Sequence, residues 1–185
     1  MDEDTDVSQS ERSQREHHAV RSLTRIDPQT WPNERLEWLW HKLLTQDYAY
    51  DDLAQALGPK AFLTQLFQFN SEWYEIGDDG LAVVSGILPK CNAIVHFAVW
   101  GELEMQELFP LQKWLFDDQF TRWQLNRLTA YIPSFNKQAI RLATLTGIKY
   151  EGELRQAFLK HGTYHNLQIY GILRSEFYRR NEVKH

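Results

Sequence analysis

The chain has 185 residues, 43% of them hydrophobic and 14% aromatic, and a formal net charge of −5 at pH 7. This suits one domain with a core and a short tail, and it excludes disorder for most of the length. The acidic balance argues against nucleic acid as a partner, since phosphate binding needs clustered cations. No apolar run approaches the roughly 20 residues of a membrane span, so no membrane role is expected.

Residues 1–18 are acidic and then mixed in charge, with almost no apolar content. They read as a solvated tail or as an arm that orders against a partner. The start Met1-Asp2-Glu3-Asp4 is opposite in charge to a signal peptide, which points to the cytoplasm. One domain is expected over 19–178, followed by a basic end at 179–185 that carries Arg179, Arg180 and Lys184.

Residues 19–25 read as a short strand. Asp27-Pro28 and Trp31-Pro32 break the chain, and Asn33 is placed to cap a helix in which Leu36, Leu39, Trp40, Leu43 and Leu44 recur at helical spacing. Short helices are expected over 51–57, stopped by Gly58, and from Pro59 through Phe67. Glu72–Ile76, Leu81–Leu88 and Cys91–Trp100 read as strands of an antiparallel meander, with turns at Gly77-Asp78-Asp79-Gly80 and Pro89-Lys90. A helix is predicted over 102–120, with Pro110 marking a kink or a late start, and a strand over 122–132. Asn136 opens a helix that Gly147 ends, and two last strands cover 149–159 and 163–174, joined at His161-Gly162.

Trp38, Trp40, Trp114 and Trp123 fall at periods that suit a core, and the single Cys91 reads as a small buried hydrophobe. No metal-ligand spacing occurs, so no metal is expected. The element order is α+β, a mixed, mostly antiparallel twisted sheet flanked by helices.

The last third carries motifs. Asn136-x-x-Ala139-x-Arg141-Leu142, closed by Gly147-Ile148, resembles the fourth-helix motif of the GNAT N-acetyltransferase superfamily. Tyr150-Glu151-Gly152-Glu153-Leu154-Arg155-Gln156-Ala157 and His161-Gly162-Thr163-Tyr164-His165-Asn166-Leu167 are similar to segments of its ribosomal-protein N-terminal acetyltransferase subgroup. The good match spans 122–175, and before that it is one of topology. GNAT-like proteins of this size with poor loops also resemble accessory or morphogenesis proteins of tailed bacteriophages.

The resemblance implies acetyl-coenzyme A as cofactor and an amine as acceptor. It places the pyrophosphate on backbone amides of the loop after the fourth strand, here Val99, Trp100 and Gly101, with Asn136 at the next helix. That loop is degenerate. Val99–Glu107 has one glycine, no basic residue, and three carboxylates, Glu102, Glu104 and Glu107, where the diphosphate should sit. At about 4 Å and an effective dielectric of about 20, each like-charge pair costs up to about 4 kcal/mol.

Direct acetyl transfer needs a base for the amine proton and an acid for the leaving thiolate. His96, mid-strand beside the family's acetyl position, can be the base or a satisfied sheet-face histidine. Tyr164 and His165 lie near the family's substrate end and can bind a peptide or act as acid, or simply pack the turn. Ala143 stands where many members have a proton-donating tyrosine, and Asn166 where the subgroup has Asp, which removes a base. Ser134 reads as a capping residue.

Two functions follow. One is an acetyltransferase moving an acetyl group from acetyl-coenzyme A to an amine. The other is a catalytically inactive GNAT-like protein that binds another protein, a phage virion or assembly component in the host cytoplasm or the virion. A protein partner is expected in the second case, as is a homo-oligomer or a larger assembly.

Overall fold

The computed structural model of the chain describes residues 22–49, 51–53, 55–56, 58–59 and 70–182. The expected tail at 1–18 and most of the helix expected after Pro59 lie outside the described residues. The elements are β1 (Leu23–Ile26), α1 (Asn33–Leu44), β2 (Glu72–Ile76), β3 (Gly80–Leu88), β4 (Asn92–Val99), α2 (Met105–Arg122), β5 (Arg127–Pro133), α3 (Lys137–Thr146), β6 (Lys149–Lys160), β7 (Thr163–Leu173) and α4 (Arg174–Glu182). The strands form one sheet in the order β1-β2-β3-β4-β5-β7-β6. All neighbours run antiparallel except β4 and β5, which are parallel. The α+β class and the mixed, mostly antiparallel sheet are as the sequence predicts.

Strand alternation sends side chains to opposite faces. Leu81 and Val83 of β3 and Trp73 of β2 pack against Leu39, Trp40 and Leu43 of α1. Ala82 and Val84, with Val95 of β4 and Leu128 and Ile132 of β5, pack on the other face with Leu115, Phe116 and Phe120 of α2, Ala143 of α3 and Phe177 of α4.

Local chemistry explains where the elements start and stop. The α1 helix begins at Asn33 itself, with Pro32 as cap residue and no side-chain cap, so Asn33 is not the cap. Pro32 fixes a φ of −66° and its carbonyl accepts from Arg35 and Leu36, which already serves the first turn. The α2 helix starts at Met105, later than position 102, and runs through Pro110. Pro110 is exposed, and the missing bond falls on the carbonyl of exposed Gln106, which water can reach. It then continues through Arg122, so the next strand begins at Arg127 rather than 122. At α3 the Asn136 side chain accepts from the Ala139 N–H at 3.1 Å, so Asn136 and not Ser134 is the cap. Gly147 ends the helix at φ +80°, and a Cβ there would meet Arg180 Nη1 at 1.7 Å.

The basic end expected at 179–185 belongs to the domain through Glu182. It is part of α4, whose Phe177 is buried against Phe116 and Phe120 and whose Arg180 donates to the Leu145 carbonyl. Cys91 is exposed, because it sits in the β3–β4 turn instead of in the strand. Trp38 and Trp114 are also exposed, meeting Trp100 and Tyr74 edge to face at the rims of the core.

One buried ion cluster ties α2 to the sheet. The Glu72 side chain is 2% exposed, pairs with Arg122 and Arg25, and accepts from Tyr74 Oη at 2.8 Å and Gln119 Nε2 at 2.9 Å. Burial pushes the Glu72 carboxyl up, but the bonds from Arg122, Gln119 and Tyr74 outweigh it and hold the group at about 2, against an ordinary 4.5. The folded value lies below the unfolded one, so the stabilisation is complete above about pH 4.5 and is lost as pH falls toward 2. Denaturant unfolding should therefore show stability dropping by on the order of 3 kcal/mol through that window, a slope that Glu72→Gln flattens. Arg122→Ala should cost about 3 kcal/mol at neutral pH, the low end for breaking a buried ion pair because Arg25 remains.

Candidate functional site

The strands β4 and β5 pair only from Asn92 opposite Arg127 to Ile94 opposite Thr129. Beyond that β4 stays with β3 as far as Val99, and β5 stays with β7 as far as Pro133, so the two part. The closed end is stitched by Thr129 Oγ1 donating to Asn92 Oδ1 at 2.9 Å and Arg127 Nε donating to Thr129 Oγ1 at 2.9 Å. Arg127 also pairs with Glu151 of β6 across β7, where Gly171 leaves no side chain in the way.

A cavity of about 230 Å³ fills the parting and reaches both faces of the sheet. On the α1 face its walls include Leu43, Tyr48, Val83, Ser85 and His96; on the α2 and α3 face they include Val95, Gln112, Asn136 and Ala143. A second cavity of about 370 Å³ shares Tyr48, Phe97, Asn136, Ala139 and Leu142 with it and runs between the start of α2 and α3, where Lys137 and Arg141 line it.

The residues singled out from the sequence divide. His96 and Asn136 meet in the first cavity. Tyr164 and His165 lie outside its walls, Tyr164 being exposed at the start of β7 and His165 packed edge-on to Phe135 at 4.7 Å between ring centres. Phe135 lies between Pro133 and Asn136, both of which line the cavity, so His165 is held near its rim. Val99 lines the second cavity, and Trp100 and Gly101 line neither.

The three loop amides already have acceptors. Val99 N–H donates to Tyr48 Oη at 3.2 Å, and the N–H groups of Trp100 and Gly101 both donate to the Asp79 carbonyl at 2.9 Å. At the start of α2 the Glu104 N–H donates to Glu107 Oε2 at 2.9 Å, so carboxylates cap the helix end. Asn136 Oδ1 is spent on its capping bond. Asn166 holds a bulge of β6 by accepting from the Gln156 N–H at 3.0 Å and donating to Glu153 at 2.9 Å. A further register shift of β6 against β7 falls between Tyr150 and Gly152.

Two residues escaped the sequence reading. Tyr48, between the expected elements, reaches the parting from the end of α1, lines both cavities, and has its hydroxyl pushed toward higher pKa by burial, against the bond from Val99. Gln112 is a polar residue on the α2 stripe of Leu108, Leu111 and Leu115, and that break in an apolar stripe was the signal to read. Beyond Tyr48, Asp52 accepts the N–H groups of His161 at 3.0 Å and Gly162 at 2.9 Å, anchoring the same segment on the β6–β7 turn.

His96 is exposed along the cavity it lines and lies 3.4 Å from Ser85 Oγ through Nε2. Desolvation by its surroundings lowers its pKa to about 4, so the ring is neutral at physiological pH.

The fold is that of the GNAT N-acetyltransferases. Mutant forms of the spermidine/spermine N-acetyltransferase SpeG from Vibrio cholerae align with a TM-score of 0.67 at 16% identity, over 89% of this chain and 99% of theirs. Its complex with CoA and spermine aligns with a TM-score of 0.62 at 17% identity, over 85% and 98%. No family model and no curated protein sequence matches the chain. Among the described residues, no cluster of His, Cys, Asp and Glu could hold a metal ion, and no helix is long and apolar enough to cross a membrane.

His96 titration checks the cavity environment. In an NMR pH titration the ring should stay neutral until about pH 4, and a midpoint near the ordinary 6.5 would contradict the desolvation argued here. Because the unfolded chain takes up the proton first, protonation should also weaken the fold as pH falls from 6.5 toward 4.

Proposed function

We propose that the protein is an N-acyltransferase of the acetyl-coenzyme A-dependent kind, with the β4–β5 parting as the transfer site. The supporting observation is the cavity that crosses the sheet at the parting and adjoins a groove lined by Lys137 and Arg141. The thioester enters from the α2–α3 face and the acceptor amine from the α1 face. The amine nitrogen attacks the thioester carbonyl carbon, the C–N bond forms and the C–S bond breaks. His96, neutral, takes the proton from nitrogen, and Tyr48, protonated, returns one to the thiolate. A SpeG structure that holds CoA and spermine supports the cofactor. The acceptor we favour is a protein or peptide N-terminus, in keeping with the motif segments on β6 and β7, with Tyr164 and His165 at its approach.

With the loop amides taken and Glu104 and Glu107 at the head of α2, phosphate contacts on this reading fall to Lys137 and Arg141. Isothermal titration should give acetyl-coenzyme A binding that weakens at least tenfold in Lys137→Glu or Arg141→Glu, the loss of one charge-assisted bond of about 1.5–3 kcal/mol. His96→Gln should leave that binding intact and lower kcat by about 10²- to 10⁴-fold.

The occupied amides and the glutamates favour a second reading, a GNAT-fold protein that transfers nothing and acts by binding another protein, including as part of a phage particle. Absence of heat at millimolar acetyl-coenzyme A would favour it over the transferase.

A further inference from the structure

His96 divides the α1 side of the cavity. Toward the closed end of the parting it meets Ser85, whose Oγ lies 3.4 Å from its Nε2. Toward the open end the wall turns apolar. Ala98 follows His96 on the same face of β4, about 7 Å further along, and stands opposite Leu81, as His96 stands opposite Val83. Leu81, Val83, Trp73 and Leu43 are buried beneath α1, Ala98 packs against them, and all five line the cavity. Ala98 and, from the segment after α1, Ala49 are the small members of this wall, so a larger side chain at either place takes up its space. The Tyr48 hydroxyl on this stretch is engaged with the Val99 backbone.

Among the described residues, no Asp, Glu, Lys or Arg lines the cavity. An ammonium ion held against these walls has no anionic partner and keeps its desolvation cost. His96 is no such partner, because its ring is neutral. With its pKa lowered to about 4 by desolvation, it suits an amine that arrives uncharged and sheds its proton during attack, and is too weak a base to strip an ammonium ion first. An α-amino group, with a pKa of about 7.7–8.0, is uncharged in a sizeable fraction of molecules near neutrality; an alkylamine like that of lysine, at about 10.4, is not. A polyamine also carries a further ammonium a few methylenes from the nitrogen that reacts, which falls on the apolar stretch. An α-amine with an aliphatic substituent meets both conditions, its nitrogen at His96 and its side chain along Ala98 toward Leu81.

We propose that the apolar wall around Ala98 is the acceptor-specificity pocket, selecting a peptide N-terminus whose first residue is aliphatic over one that is glycine or acidic, and over polyamines. The transfer step rests on the transferase reading; the preference of the wall for an aliphatic α-amine is a binding property and is measured separately.

The full chain is titrated by NMR with lysine-free pentapeptides that differ only in beginning with leucine, glycine or aspartate, and with spermidine. Turnover of the same four with acetyl-coenzyme A is followed by release of free coenzyme A. The leucine peptide should bind at least about tenfold tighter than the glycine peptide, the effect of burying most of one aliphatic side chain, and lead in kcat/KM by a similar factor. The aspartate peptide and spermidine should trail both. Ala98→Leu and Ala49→Leu, each read as a ratio within the variant, should bring the leucine-over-glycine preference close to one, and the two sites are independent, so one variant that fails to fold leaves the other to decide. Preferential binding of the leucine peptide with no coenzyme A released would sustain the pocket and sink the transferase reading. Turnover with equal kcat/KM for the leucine and glycine peptides, or with spermidine ahead, would sustain the transferase and overturn the pocket. Binding of none of the four overturns it too, as does a leucine preference that the folded variants keep.

Discussion

The site depends on one event in the sheet, the parting of the parallel pair β4 and β5 after Ile94 and Thr129. Each strand keeps its other partner while the backbone groups between them lose one another. Unpaired backbone polar groups must be satisfied, and here a side chain from another part of the chain intervenes. The Tyr48 hydroxyl accepts from the Val99 N–H and donates to the Val99 carbonyl at 3.3 Å. The parting thus creates the cavity and also fixes the segment after α1, which Asp52 anchors further along on the β6–β7 turn.

The helix α2 is the second wall of the site, and its position rests on buried charge. Arg122 at its last turn is held by Glu72 and Asp118, and Gln119 one turn earlier joins the same cluster. This fixes the rotation of the helix, and so which residues of its stripe face the sheet. Seven residues before Gln119, two turns away, the same face presents Gln112 to the cavity. A polar cluster at one end of the helix and an unsatisfied polar group in its middle are therefore consequences of one orientation.

The sequence carried the fold well where local chemistry decides it. Asn136 and Gly147 set both ends of α3, and the turn residues at 77–80 and 89–90 delimited the meander. It failed where tertiary packing decides. Trp38 and Trp114 fit a core period yet sit at rims, because an aromatic ring can pack edge to face on another and remain half exposed. Arg179 and Arg180 of the basic end lie in α4, which Phe177, two residues before them, packs against the core. For the site, His96 and Asn136 were legible because a motif or strand placed them. Tyr48 was not, because it reaches the parting from a segment with no periodicity, and only the three-dimensional path brings it to Val99.

The degenerate loop gains a physical meaning from this arrangement. In the sequence, the family resemblance puts a phosphate loop at Val99–Glu107, with one glycine in it. In the fold, the amides of Trp100 and Gly101 close onto Asp79 in the β2–β3 turn, and the carboxylates of Glu104 and Glu107 serve the helix terminus that a phosphate would otherwise serve. A loop whose donors are satisfied internally needs no anion to be stable, and an anion would have to displace two backbone bonds and approach two glutamates. The cationic side of the neighbouring groove is α3, where Lys137 and Arg141 stand one turn apart. If a nucleotide-bearing thioester occupies this groove, its charge is matched there by flexible side chains instead of by a rigid nest of amides. That exchange implies weaker and more salt-sensitive binding, because exposed charge pairs are screened while buried backbone donors are not.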